Sequence, residues 1–248
     1  LYFVIRAFGA RGTSWLVDYG QLHGPTETDE VWSQLAEMML QPIAGMQIER
    51  VFIDSGFRPD KPEQGNEHKV YEFCRRFSWL CWPTKGRDVM TPPYRVSKIE
   101  VKPDGKRALY SVNLALLSTD FFKSLVVSRL RTPIDVPGAF YVHSDVDEDY
   151  CRQVTSEARI LKGGKPQWVK RSRDNHLLDC EALCAAIGYT LNVQRIPEGV
   201  HRFDGGSSPL TPEAGTAEGD PPLPPPKKSG GGGAYRNRFQ RSGSRLNR

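Results

Sequence analysis

Two aspartates have the residue type and position that metal-ion chemistry asks for. Asp54 closes the apolar run Val51-Phe52-Ile53 and is followed by Ser55-Gly56. A strand there sets a carboxylate at the C-terminal rim of a sheet, where ligand sites of open α/β folds gather. Asp179 lies at the margin of an apolar helix face formed by Leu177, Cys180, Leu183, Cys184, Ile187 and Leu191, early enough in that helix to reach back over a sheet edge. Each also has a plain reading, since a strand-end Asp caps the next turn and a first-turn Asp is favoured by the helix dipole; position alone leaves both open. Taken together, two acids from distant elements suit a phosphodiester site with two Mg²⁺ or Mn²⁺ ions roughly 3.5 to 4 Å apart, one activating water and one stabilising the leaving oxygen. Such a centre normally takes a third acid and needs no Ser or His nucleophile. His176 falls nearer the apolar side of the helix and is expected to pack or to support the ligands.

Other chemistries lack their residues. There is no GxxxxGK followed by Ser or Thr, no GxGxxG opening a helix and no GxSxG elbow, which removes the usual ATP, dinucleotide and acyl-transfer sites. The five cysteines form no CxxC pair and are odd in number, so mostly buried, reduced thiols are expected rather than a zinc ribbon or a disulfide framework. The chain has 248 residues, 38% hydrophobic and 25% charged, with a net charge of +5; that suffices for a sizeable core, and the charge is compatible with a nucleic-acid partner. No stretch approaches the roughly eighteen apolar residues of a membrane span, and Leu1 to Arg11 lacks the order of a signal peptide, so a soluble intracellular protein is expected.

The elements that must position the acids alternate between strand and helix. Leu1 to Phe8 and Ser14 to Tyr19 read as an antiparallel hairpin, and Asp29 is placed to cap a helix from Glu30 to Gln41 that Pro42 ends. Gln47 to Asp54 reads as a buried strand, Asn66 to Phe77 as a helix, and Trp79 to Trp82 as a strand stopped by Pro83. A second hairpin, Arg95 to Lys102 and Lys106 to Val112, turns at Pro103-Asp104-Gly105. A helix from Leu114 to Leu130 follows, then a strand at Ala139 to His143, a helix at Glu148 to Glu157 and an amphipathic helix from Asn175 to Leu191. This order predicts a mixed sheet with helices packed on it.

Composition breaks near Phe203. Residues 204–248 hold seven of the nineteen prolines and nine of the twenty-three glycines, too little apolar surface to fold, so a body at 1–203 and a disordered tail at 204–248 are expected. Lys227 to Arg248 carries seven basic and no acidic residues, with Tyr235 and Phe239 among them.

Six blocks, in order, resemble a known family. They are Leu1 to Gly20 with Val31-Trp32, Arg50 to Gly56, Val70 to Cys74, Lys85-Gly86-Arg87, Tyr150 to Glu157, and Asn175 to Cys180. Over about residues 1–195 they are similar to the nuclease half of lambda-type terminase large subunits, the DNA-packaging enzymes of tailed phages. The resemblance implies an RNase H-like fold and a metal-dependent endonuclease that cuts concatemeric viral DNA. It implies Asp54 and Asp179 as catalytic metal ligands, and it matches Glu157 to a recurrent family Glu, expected beside them with His176. It further implies double-stranded DNA, the phage portal and the small terminase subunit as partners in an oligomeric motor in the host cytoplasm, with no membrane. The family's first metal-binding Asp stands ahead of the segment that begins at Leu1, and Asp18 lies elsewhere in the motif. The chain is therefore expected to be a fragment, without the ATPase half and inactive alone. Lys85, Arg87, Lys98, Lys102, Lys106 and Arg107 are the expected DNA contacts. Two alternatives stay open: a non-catalytic DNA- or portal-binding module, and another RNase H-like resolvase or transposase. Ending the chain at Phe203 is expected to leave thermal unfolding of the body unchanged while lowering DNA affinity at low salt, because counterion release makes such binding steeply salt-dependent; calorimetry and fluorescence anisotropy check the two halves.

Overall fold

Short apolar runs closed by turn residues build most of the strands. The computed structural model describes residues 1–56, 69–101 and 107–198, all within one compact unit, which alone is described. The opening hairpin pairs β1 (Tyr2–Phe8) with β2 (Ser14–Gln21) antiparallel, and the two-residue β7 (Phe140–Tyr141) joins β2 in parallel. The second sheet has the order β3 (Val51–Asp54), β4 (Cys81–Arg87), β6 (Arg107–Ser118), β5 (Tyr94–Val101). In it β3, β4 and β6 run parallel and β5 antiparallel, so the C-terminal ends of three strands share one edge. The third pairing is a separate hairpin, β8 (Glu157–Lys162) with β9 (Lys165–Lys170).

Alternation along β3 sends its side chains to opposite layers. Ile53 enters a cluster with Val31, Trp32, Leu35 and Met39 of α1 (Glu30–Leu40) and Val70, Phe73 and Cys74 of α2 (Lys69–Arg76). Phe52 enters the other, with Phe122 and Val126 of α3 (Thr119–Leu130) and Leu178, Ala182, Ala185 and Ala186 of α5 (His176–Thr190). A third cluster joins Leu16 to Tyr150 and Val154 of α4 (Glu148–Val154) and to Leu177. The result is the mixed α/β architecture, helices flanking sheets, that an RNase H-like fold requires.

Several expectations are corrected. The mixed sheet is divided, with β1, β2 and β7 bonded apart from β3 to β6. β4 runs through Pro83 instead of stopping there: its ladder with β6 begins only at Thr84, so the missing N–H removes no bond to that neighbour. Leu114 to Ser118 belong to β6 rather than to α3, because this apolar run is too short to tell helix from strand and its pairing with β4 decides. The side-chain hydroxyl of Ser118 then caps α3 by accepting from Phe121 N–H at 3.5 Å. Asp29 makes no side-chain cap; its carboxylate pairs with Lys69 at 2.9 Å. α4 ends at Val154, leaving Glu157 to open β8. α5 is apolar on most of its circumference rather than amphipathic, with Ala182, Ala185, Ala186 and Gly188 buried in contact with its neighbours. A Cβ at Gly188 would stand 2.9 Å from the ring of Phe8, so that close approach of α5 to β1 needs glycine. The tail at 204–248 lies outside the described residues.

A buried polar network locks α5 to β1. Arg6 Nε donates to Glu181 Oε2 at 2.6 Å, with side chains 2% and 0% exposed, and Tyr150 Oη donates to Glu181 Oε1 at 2.5 Å. The Arg6 guanidinium also donates to Ser14 Oγ at 2.9 Å and lies 3.3 Å from the centre of the Phe140 ring. Burial, reinforced by the Glu181 charge, pushes the Tyr150 phenol well above its usual range, so it stays a donor. Glu181→Ala leaves the Arg6 charge buried without its carboxylate and is expected to cost about 3 to 5 kcal/mol, read as a lower urea midpoint at unchanged slope.

Candidate functional site

The shared C-terminal edge of β3, β4 and β6 gathers the residues with chemical potential. Asp54 is the last residue of β3, pairs in register with Thr84, and is exposed. It lies two positions after Phe52, so it stands on the side of the sheet covered by α3 and α5. Its Oδ1 accepts from the Gly56 amide at 3.0 Å. A Cβ on Gly56 would lie 3.3 Å from both carboxylate oxygens, which is why the turn is tight enough to fold the side chain back. Next along the chain, the buried Ser55 hydroxyl donates to Thr84 O at 2.8 Å and pins the turn to β4.

Asp179 reaches the same neighbourhood from the first turn of α5. The Cys180 thiol, pushed up to about 12 mainly by burial, is raised further by the charges of Asp179, Glu181 and Asp54. Asp54 and Asp179 both lie close enough to the partly buried Cys180 to raise its thiol, in keeping with the packing of Leu178 of α5 in the cluster of Phe52 of β3. The Asp179 side chain is 51% exposed, and its Oδ1 pairs with Lys123 Nζ at 2.8 Å. The same ammonium donates to Glu157 Oε2 at 2.8 Å. Asn175 Nδ2 bonds the other oxygen of each acid, at 2.6 Å to Glu157 and 3.0 Å to Asp179, while Lys170 Nζ donates to Asn175 Oδ1 at 2.8 Å. Burial alone would lower the Lys123 ammonium, but the Asp179 and Glu157 carboxylates outweigh it and hold it above its usual range, so it remains charged. The β8–β9 hairpin that brings Glu157 in is anchored to α3 by Asp120, which accepts from Arg159 Nε and Nη2 at 2.7 and 3.0 Å and from Trp168 Nε1 at 3.0 Å.

Some expected residues converge and others do not. Asp54 and Asp179 come to one edge. Glu157 is not a solvent-facing helix end but a strand residue, its side chain 4% exposed between Lys123 and Asn175. His176 is exposed rather than packed inward, and its ring stacks on Tyr2 with centroids 4.3 Å apart. Lys85 and Arg87 lie on β4 beyond the level of Asp54, at the edge itself but on the opposite side of the pleat. Lys98 is exposed on β5 opposite Asn113, two residues below the Asp54 level. The register carries the paired ends of β5 and β6, Val101 and Arg107, away from the acids, toward the far end of the sheet; the expected turn at Pro103-Asp104-Gly105 lies outside the described residues. Lys102 and Lys106 lie outside the described residues, as does the side chain of Arg107. An open hollow of about 250 Å³ lined by Thr13, Ile134, Pro137 and Tyr141 sits beyond the C-terminus of α3 and is separate from the acid edge.

The donor set fits a hard cation in kind, because the exposed groups at the edge are carboxylates. Among the described residues, no group of three or more His, Cys, Asp or Glu converges as a ready cage. Sequence reasoning missed Lys123 and Asn175. A lone lysine on the buried face of α3, between Phe122 and Val126, was the available signal, since a buried Lys is rare without a partner.

A parallel-edged α/β domain with acids at that edge is a frame on which many enzymes build their sites. Residues 1–198 match the family described as terminase large subunit gpA, endonuclease domain, and the chain belongs to that family. Membership gives it a nuclease role in viral DNA packaging. Comparison with curated proteins and with solved structures returns no match.

Burial separates the two acids that Lys123 bridges. Glu157→Ala is expected to cost about 3 kcal/mol, since it uncouples a buried ammonium. Asp179→Asn, at a half-exposed position, is expected to cost under about 1 kcal/mol. Urea titrations of both variants at one pH measure the difference.

Proposed function

We propose that the chain is a nuclease domain for cutting duplex DNA by divalent-metal phosphodiester hydrolysis at the edge formed by β3, β4 and β6, inactive on its own for want of a further acid. What supports this reading is the placement of Asp54 at the end of β3 and of Asp179 in the first turn of α5, the helix whose Leu178 packs in the cluster of Phe52 of β3, in a chain of an endonuclease family. The two carboxylates hold Mg²⁺ or Mn²⁺; when bound, such ions supply Lewis acidity that turns water into a nucleophile and offsets charge on the leaving oxygen. Asn175 and Lys123 fix the Asp179 carboxylate by one bond to each oxygen, so the ligand is oriented before substrate arrives. Asp54 is held by the Gly56 amide in the same sense.

The expected two-ion form needs more carboxylate than these two side chains bring. Glu157 does not supply it, because its side chain is 4% exposed, whereas Asp179, which Lys123 and Asn175 also bond at both oxygens, is 51% exposed. Cleavage in that form depends on a further acid. Lys85 and Arg87 at the edge are the cations proposed to take the phosphate backbone beside the cut, with the portal and the small terminase subunit as the protein partners in the host cytoplasm. Lys162 and Lys165, which flank the Gly163-Gly164 turn of β8–β9, extend positive charge outward from Glu157.

Asp54→Asn and Asp179→Asn are each expected to weaken Mn²⁺ binding by about tenfold or more, the loss of roughly 1.4 kcal/mol for one charged ligand. Each is also expected to abolish metal-dependent nicking of supercoiled plasmid wherever the parent shows it. Calorimetry reads the first, and unchanged Mn²⁺ affinity in both variants rejects the assignment. Replacing Lys85 and Arg87 together with Ala is expected to weaken DNA binding evenly across sequences and to lower the salt slope by about 2; an unchanged slope places the backbone contacts elsewhere.

A further inference from the structure

The metal reading gives the buried Lys123 only the task of holding Asp179, although it bonds Glu157 as well. Lys123 Nζ lies 2.8 Å from Glu157 Oε2 and 2.8 Å from Asp179 Oδ1, and its side chain is 7% exposed. The two acids come from different elements, β8 and α5. Their remaining oxygens are tied by a single amide, Asn175 Nδ2. A point between two carboxylates of separate elements is a cation seat, and here an ammonium fills it. A divalent ion in that seat would have to displace Lys123 into an apolar layer that includes Phe122 and Val126, where an unpaired charge is costly.

We propose that Lys123 is the second cation of the site, a positioning residue whose fixed ammonium takes the place between Glu157 and Asp179 that a second metal ion would otherwise occupy. The chain then binds one divalent ion, through Asp54 and Asp179. The inference rests on the metal reading only for that one ion. The ammonium also keeps Asp179 and Glu157 from repelling one another while the metal is absent, so the ligand is in place when the ion arrives.

The test is a Mn²⁺ titration by calorimetry on the unchanged chain, on Lys123→Met, and on Lys123→Met combined with Glu157→Gln. Lys123→Met is expected to gain one Mn²⁺ equivalent over the unchanged chain, and the double variant is expected to lose that gain. The same count in Lys123→Met as in the unchanged chain overturns the inference. The unchanged chain's own count tests the metal reading separately: no binding there rejects Asp54 and Asp179 as a site, whereas the gain is still read as a difference. If Lys123→Met does not fold, crystals of the unchanged chain soaked in Mn²⁺ decide. Anomalous density between Glu157 and Asp179, with Lys123 displaced, overturns the inference, and Lys123 in that seat with Mn²⁺ at Asp54 and Asp179 supports it.

Discussion

The Arg6–Glu181 ion pair is the constraint on which the placement of the site depends. Both side chains are almost wholly inaccessible, and a buried pair of this kind is stable only because every neighbouring polar atom is supplied: Tyr150, Ser14 and the Tyr141 carbonyl complete it. The pair draws on β1, β2, β7, α4 and α5 at once. Glu181 must point inward to meet Arg6, and a residue two positions earlier is turned by about 200° around a helix. Asp179 therefore faces outward. A helix that is apolar around most of its surface has little else to fix its rotation, since any of several faces could pack. The ion pair removes that freedom, and with it the freedom of the acid one half-turn away.

A second set of polar contacts finishes what the first begins. Glu157 reaches the edge because Asp120 anchors β8–β9 to α3, and α3 itself starts at the edge, where Ser118 ends β6 and caps the helix. Lys123 lies about one turn into that helix, which sets its ammonium over the acids rather than in solvent. Function on this account follows from a graded burial of three carboxylates. Glu157 is enclosed and neutralised, Asp179 is oriented but half open, and Asp54 is exposed at the strand end. Only the open members present their carboxylates to solvent.

The parts of this arrangement visible in the sequence are those with a strong local signature. An apolar run ending in Asp-Ser-Gly marks Asp54, and the start of a long apolar helix marks Asp179, so both acids are legible one at a time. Their convergence is not, because it depends on α5 packing over β3, a contact between residues more than a hundred positions apart. Glu157 was misplaced because the helix before it ends three residues early, at Val154, where the Thr155 hydroxyl bonds back to the Cys151 carbonyl at 2.7 Å and the chain leaves the helix. The Lys-Gly-Gly-Lys turn at 162–165 is a hairpin signal, with both glycines at positive φ of 59° and 75°, and reading it would have recovered β8 and β9. Lys123 has no such sign beyond its apolar neighbours, and its meaning lies wholly in partners from two other elements.

The central claim is that Asp54 and Asp179 bind the same divalent ion. Iron-mediated affinity cleavage tests it most directly: Fe²⁺ replaces Mg²⁺, and with ascorbate and peroxide the radicals it generates cut the backbone beside the ligands. The account predicts two sets of cuts, one near residue 54 and one near residue 179, both suppressed together by excess Mg²⁺ or Mn²⁺. Cuts at only one of the two positions, or cuts confined to other segments and indifferent to Mg²⁺, would contradict it.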